Sequence, residues 1–201
     1  MQVVMVKAGR PDEQDRTYLI REGRSDRAPV HAVHDLPHLV VESLFGLGDG
    51  LWGELAQGMH REAEAAASAR DPRRQKLGRI VSGAASGSLT GAWLSDGHRL
   101  AKAATNAVTN RWGDGPDTPA GVRYRINAAE GERARTLLDR VDDETIALAI
   151  QGARELDARW VATPPGDALE LQWPLPRSFF DGHRSAAREL HEHPGASTDD
   201  R

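Results

Sequence analysis

The sequence predicts an α+β fold in which several helices pack on a small antiparallel sheet formed by an N-terminal hairpin and a C-terminal strand. Short runs rich in β-forming residues occur near both ends of the chain, at Val3 to Val6, Thr17 to Ile20 and Leu169 to Trp173. Most of the chain between them has helical character. Strands grouped at the two ends, without regular alternation with helices, are typical of α+β proteins and not of βαβ units.

The strands are predicted from local pattern and from the turn between them. Gly9 to Asp15 is a polar segment between the first two runs, and it predicts a hairpin with a long loop. The C-terminal run alternates apolar and polar residues as a half-buried strand does, so we expect it to pair with the hairpin.

The first helix is predicted to begin near Leu36 or Pro37 and to end at about Phe45, before Gly46. Proline is favoured in a first helical turn because its missing N–H loses no bond there. Asp35 is one expected cap, and Leu36 is the alternative capping position because Pro37 disfavours helical geometry there. This start would place His34 just before the helix and His38 in its first turn.

Further helices are predicted over Leu51 to Ala69, His98 to Arg111, Ala129 to Val141 and residues 143 to 160, the last capped by Asp142 or Asp143. Val122 to Ile126 alternates in polarity, which fits either a strand or an extended lead-in to the next helix. Ser82 to Gly91 is rich in small residues but lacks a phosphate-loop pattern, so a flexible connection or a close helix contact is favoured.

Composition restricts the classes of partner and the location. The formal net charge is −4 with acidic and basic residues interspersed, which gives no electrostatic case for a nucleic-acid partner. The chain has no cysteine, which excludes disulfides and thiolate metal sites. The apolar runs are too short for a membrane span and the N-terminus lacks signal-peptide features, so we expect no membrane partner and a cytoplasmic protein.

The domain organisation follows from the loss of patterning towards the C-terminus. Residues 1–176 are expected to form one α+β domain. Residues 177–201 are polar and are expected to form a partly disordered tail. Composition and pattern leave the oligomeric state open.

The candidate site is a set of three side chains spaced four residues apart, His34, His38 and Glu42. Four residues advance a helix by about 40° around its axis, so His38 and Glu42 share a face. Two imidazoles and a carboxylate suit a divalent metal such as zinc, manganese or iron. Asp35 would act as a general base or orient a histidine, and the implied activity is a small metal-dependent, hydrolase-like enzyme.

The alternative hypothesis is a non-catalytic binding or accessory protein with a small-molecule or protein partner. The run from His34 would then be a structural motif at the start of a helix. Asp35 would only cap the helix, and His38 with Glu42 would form an ordinary i,i+4 pair. The spacing is not the His-Glu-x-x-His pattern of metalloproteases. Trp52 would either wall a pocket or staple the two helices together, and we favour the staple.

The run His34-Asp35-Leu36-Pro37-His38-Leu39-Val40-Val41-Glu42, followed by Asp49-Gly50-Leu51-Trp52-Gly53, resembles a group of uncharacterised actinobacterial proteins. These carry a His-Asp-Leu-x-His-x-x-Val-Glu run and then an Asp-Gly-Phe-Trp-Gly run, with phenylalanine where this chain has Leu51. The resemblance implies that both runs act as one unit, through His34, Asp35, His38, Glu42, Asp49 and Trp52. It implies no particular activity.

Overall fold

The computed structural model describes residues 1–28, 30, 32–58, 96–111, 113 and 115–181. Within these residues the chain forms a four-stranded antiparallel sheet in the order β3-β2-β1-β4. The strands are β1 (Gln2–Val6), β2 (Arg16–Arg21), β3 (Arg24–Ala28) and β4 (Ala168–Gln172). The helices are α1 (Ala32–Phe45), α2 (Leu51–Gln57), α3 (Asp96–Val108), α4 (Pro119–Glu130), α5 (Glu132–Leu138), α6 (Asp143–Ala162) and α7 (Arg177–Asp181).

The predicted α+β class is confirmed, and so is the pairing of the C-terminal strand with the N-terminal hairpin. Val3 in the central strand lies opposite Leu19 of β2 and Leu171 of β4. All three are buried, because alternate residues of each strand point to the same face of the sheet. This face joins one hydrophobic core with α1 and α6, the two helices that pack against each other most extensively.

The third strand, β3, was not predicted. It follows β2 through a two-residue turn at Glu22 and Gly23, whose φ angles are 49° and 75°. Two positive φ values in succession fit the twist of a tight hairpin. Its sequence is polar, and Ala28 is its only buried residue, so the alternation that marks a half-buried strand is missing.

The predicted start of α1 is wrong, because the helix begins at Ala32 and contains Pro37. Proline has no N–H to donate to the carbonyl oxygen four residues earlier, which is that of Val33. Arg111, just beyond α3, supplies a hydrogen-bond donor in its place. Its Nη2 donates to the carbonyl oxygens of Val33 at 3.4 Å and His34 at 3.0 Å. Asp35 therefore lies inside the first turn and does not cap the helix.

The alternating run Val122 to Ile126 is helical, so both extended readings of it are wrong. Thr118 caps α4 by accepting a hydrogen bond from the backbone N–H of Gly121, and Pro119 occupies the first turn. The predicted helix over Ala129 to Val141 is two helices, since Gly131 has a φ of 54° and separates α4 from α5.

The predicted start of α6 is confirmed. The Asp142 carboxylate accepts a hydrogen bond of 2.7 Å from the backbone N–H of Thr145 and caps α6. The packed chain continues past Pro176, because Phe180 in α7 is buried. The predicted continuation of α2 to Ala69 as one helix is wrong, because α2 ends at Gln57, where Gly58 caps it in the left-handed region with a φ of 82°. The Ser82 to Gly91 segment and residues 182–201 lie outside the described residues.

No helix in the described ranges combines the length and the apolar character that crossing a membrane requires.

Arg125 is a buried cation that ties α4 to the end of α3. It is 2% exposed, and it donates to the carbonyl oxygens of Ala107 and Pro116. We expect Arg125→Ala to lower the free energy of unfolding by about 2–4 kcal/mol, because it removes a buried side chain together with its hydrogen bonds to both carbonyl groups. The neighbouring Tyr124 is 71% exposed, and Tyr124→Ala should change stability by less than about 0.5 kcal/mol. Urea denaturation measures both, and equal effects would contradict the assigned role of Arg125.

Candidate functional site

Glu42 occupies the centre of the corner between α1 and α2. Its Oε2 accepts hydrogen bonds from the backbone N–H groups of Trp52 at 2.9 Å and Gly53 at 3.3 Å. The first N–H groups of a helix have no partner within the helix, so this side chain from α1 caps α2. Glu42 is 1% exposed, and the cap is therefore closed to water.

The glycines of the corner are required by close approach of other groups. A Cβ atom on Gly50 would lie 2.4 Å from the carboxyl carbon of Glu42, and one on Gly53 would lie 2.0 Å from the carbonyl oxygen of Gly48. Neither neighbour can move without breaking the turn or the cap. Gly46, whose φ is 65°, ends α1 in the left-handed region. The Asp-Gly-x-Trp-Gly run thus has a steric explanation.

Trp52 makes the reciprocal connection from α2 to α1. Its indole Nε1 donates a 3.0 Å hydrogen bond to the carbonyl oxygen of Asp35, and its side chain is fully buried. The start of α1 therefore accepts a hydrogen bond from the indole of Trp52. The carboxyl group of Glu42, in the same helix, accepts two from backbone N–H groups of α2. This contact links the two helices, as the favoured prediction of Trp52 as a staple expects.

His38 and Glu42 form a buried pair on the shared face predicted from their spacing. His38 Nδ1 and Glu42 Oε1 lie 3.4 Å apart, and the side chains are 4% and 0% exposed. Neither atom has a hydrogen-bond partner of good geometry. The close approach is therefore a contact between two polar atoms and not a formed hydrogen bond.

Burial changes the acid–base behaviour of both members of this pair. It lowers the pKa of His38 to about 3, with nearby Asp35 acting in the opposite direction. It raises the pKa of Glu42 to about 8, although the N–H groups of Trp52 and Gly53 favour the carboxylate. Removal from water disfavours any charged form, and here it outweighs the local partners. At neutral pH the Glu42 carboxyl group is therefore protonated and the His38 ring is neutral.

His34 and Asp35 form a separate pair at the start of α1. His34 Nδ1 and Asp35 Oδ1 are 2.7 Å apart, with side chains 51% and 10% exposed. The rings of His34 and His38 are nearly parallel, with centroids 6.4 Å apart. The four predicted site residues thus lie in one neighbourhood but as two pairs. Across the ranges that the structure describes, no three or more His, Asp or Glu side chains are placed to hold a metal ion.

The start of α3 also packs against the corner, through residues that the sequence did not single out. His98 is 6% exposed, and its Nδ1 lies 3.2 Å from Glu54 Oε2 of α2. A Cβ atom on Gly97 would lie 1.9 Å from the carboxylate of Asp49. His98 and Glu54 are 44 residues apart, so no local spacing marks them as partners. Five further histidines, His31, His60, His183, His191 and His193, lie outside the described residues.

A groove of about 380 Å³ runs beside the corner between the turn, α3 and α5. Asp49 and Gly97 line it together with Arg133 and Arg140, while His38 and Glu42 do not. The buried pair therefore does not open into this groove.

No protein-family model, no curated protein and no solved structure matches this chain. The account of the site consequently depends on its own geometry.

Gly53→Ala tests the steric account of the corner. The added methyl group would overlap the carbonyl group of Gly48, and we expect a loss of about 1–3 kcal/mol in the free energy of unfolding, the usual range for overpacking. Gly48→Ala is the matched control, since a Cβ there meets nothing within 4 Å. Urea denaturation compares the two, and a stable Gly53→Ala protein would refute the close approach.

The buried pair also predicts a pH profile for the metal-free protein. Folded Glu42 keeps a proton that the unfolded chain loses, because its pKa is raised from 4.5 to about 8. Below pH 6.5 this is offset by His38, which is protonated only in the unfolded chain. Stability should therefore fall as pH rises from 6.5 to 8, by about 2 kcal/mol in total. Below pH 4.5 it should fall again, because the unfolded chain protonates His38 and the folded chain does so only near pH 3.

Glu42→Gln isolates the alkaline part of this profile. The amide does not titrate, so the variant should lack the fall between pH 6.5 and 8. Its fall at acidic pH should begin near pH 6.5 instead of 4.5, because ionisation of Glu42 in the unfolded chain no longer offsets protonation of His38 there. Urea denaturation in EDTA across this range gives the measurement. Parallel profiles for the parent and Glu42→Gln would show that Glu42 is ionised in the folded protein at neutral pH.

Proposed function

We propose that the chain is a non-catalytic binding or accessory protein in which the run from His34 to Glu42 is a structural motif at the start of α1. The observation that carries this proposal is the use of the Glu42 carboxyl group as a buried cap for α2. A carboxylate that serves a metal or a substrate needs free lone pairs and access. Here one oxygen accepts two N–H groups and the other faces His38.

The surrounding contacts support a structural role for the other members of the motif. Trp52 holds the first turn of α1 through the carbonyl oxygen of Asp35. The side chain of Asp35 faces His34. Gly50 and Gly53 permit the close contacts of the turn. Each of these residues thus has a packing or hydrogen-bonding task that accounts for its identity without a reaction.

The second candidate is the small metal-dependent, hydrolase-like enzyme, with His34, His38 and Glu42 holding zinc, manganese or iron and Asp35 as base. One observation favours it. His38 Nδ1 and Glu42 Oε1 are buried, close together and without hydrogen-bond partners, and these are atoms of types that bind divalent metals. It ranks second because His34 pairs with Asp35 and does not converge with the other two.

Glu42→Ala and His38→Ala separate the two candidates. Under the structural proposal, Glu42→Ala leaves buried N–H groups unpaired and should lower the free energy of unfolding by about 2–4 kcal/mol, equally with and without EDTA. His38→Ala should also be destabilising, because it removes a buried side chain. Val33→Ala is the control on the same helix, since Val33 is 64% exposed.

Metal analysis of protein purified without a nickel column completes this test. The structural proposal expects substoichiometric metal and no thermal stabilisation of the parent by zinc, manganese or iron. Stoichiometric metal that is lost in His38→Ala, or metal-dependent stabilisation confined to the parent, would favour the enzyme instead.

A further inference from the structure

Strand β4 forms one edge of the sheet, and half of its main-chain groups point away from β1. Met1 and Trp173 exchange both of their main-chain hydrogen bonds, at 3.0 and 2.8 Å. Bonded and non-bonded pairs alternate along an antiparallel ladder. The N–H and C=O groups of Ala168, Glu170 and Gln172 are therefore directed outward, and the described part of the chain places no strand beside them.

The two edges of the sheet differ in their protection against added strands. β3, at the opposite edge, carries the charged residues Arg24, Asp26 and Arg27, and charges on an edge strand discourage pairing with other chains. β4 has the sequence Ala-Leu-Glu-Leu-Gln, with Glu170 as its single charge. The edge at β4 is thus the one chemically suited to accept a further strand.

A groove of about 610 Å³ runs along β4 and the segment that follows it. Its apolar lining includes Leu171, Leu175 and Phe179, and its charged lining includes Arg159 and Glu170. A peptide added to a strand edge gains affinity from its main-chain bonds and specificity from pockets for alternate side chains. The groove provides space for such side chains.

We propose that β4 binds an extended segment of a partner protein as a fifth strand, with a basic residue of that segment opposite Glu170. This inference rests on the proposed binding role and names the class of partner. The charge of Glu170 favours a segment of another protein over a second copy of this chain as the added strand. Antiparallel pairing of all five residues of two β4 strands would place Glu170 opposite Glu170, and like charges directly opposite are destabilising.

Two fluorescein-labelled peptides test the proposal with the full-length protein. One has the sequence Ser-Thr-Val-Lys-Val-Thr-Ser, and the other has Glu in place of Lys. Fluorescence anisotropy should show that the Lys peptide binds about three- to tenfold more tightly than the Glu peptide, the range expected for cross-strand charge pairing. Equal affinities, or no binding of either peptide at about 1 mM, would overturn the proposal.

Two variants at one position separate the main-chain and side-chain contributions. Glu170→Pro removes an outward N–H that β1 does not use, and proline is tolerated at such edge positions, so it should abolish binding of both peptides. Glu170→Ala should still bind but lose the preference for Lys. Retained binding by a folded Glu170→Pro protein would overturn strand addition. If that variant does not fold, the peptide comparison in the parent and Glu170→Ala decides the matter.

Sedimentation analysis tests the choice of occupant. A monomer supports a foreign segment, whereas a dimer broken by Glu170→Pro and retained by Glu170→Ala would assign the edge to a second copy. Failure of the peptide tests leaves the proposed function standing, because the stability and metal content of the Glu42 and His38 variants test that proposal separately.

Discussion

The buried carboxyl group of Glu42 is the interaction on which the α1–α2 corner depends. A short helix such as α2 cannot satisfy its own first N–H groups, and in a closed core water cannot do so either. Glu42 supplies the acceptor from the neighbouring helix. Burial of a full charge would be costly, and the raised pKa of Glu42 means that the group remains neutral at neutral pH.

The rest of the corner follows from the position of that carboxyl group. A side chain at position 50 would overlap the carboxyl group of Glu42, and one at position 53 would overlap the carbonyl group of Gly48 in the turn. Both positions therefore require glycine. Trp52 closes the corner from the other side through the Asp35 carbonyl oxygen. Arg111 compensates for the proline inside α1, so the end of α3 also contributes to the geometry in which Glu42 reaches α2.

Local pattern predicted the features that depend on neighbouring residues. The β-rich runs of β1 and β2, the alternation in β4, the Asp142 cap and the shared face of His38 and Glu42 are all of this kind. The start of α1 could not be predicted in this way, because the donor that replaces the N–H of Pro37 is Arg111, more than seventy residues away. Glu42 meets its partners across the turn between α1 and α2, and His98 lies 44 residues from Glu54, so spacing within one helix identified polar residues but not these contacts.

The ionisation of the same carboxyl group can be observed directly. Carbon-13 NMR of glutamate labelled at the side-chain carboxyl carbon, with the Glu42 signal assigned by its loss in Glu42→Gln, follows the titration of this residue in metal-free protein. The account predicts a midpoint near 8, the value to which burial raises its pKa. A midpoint near 4.5, the ordinary value, would show that the group is ionised at neutral pH and would contradict a neutral, buried cap.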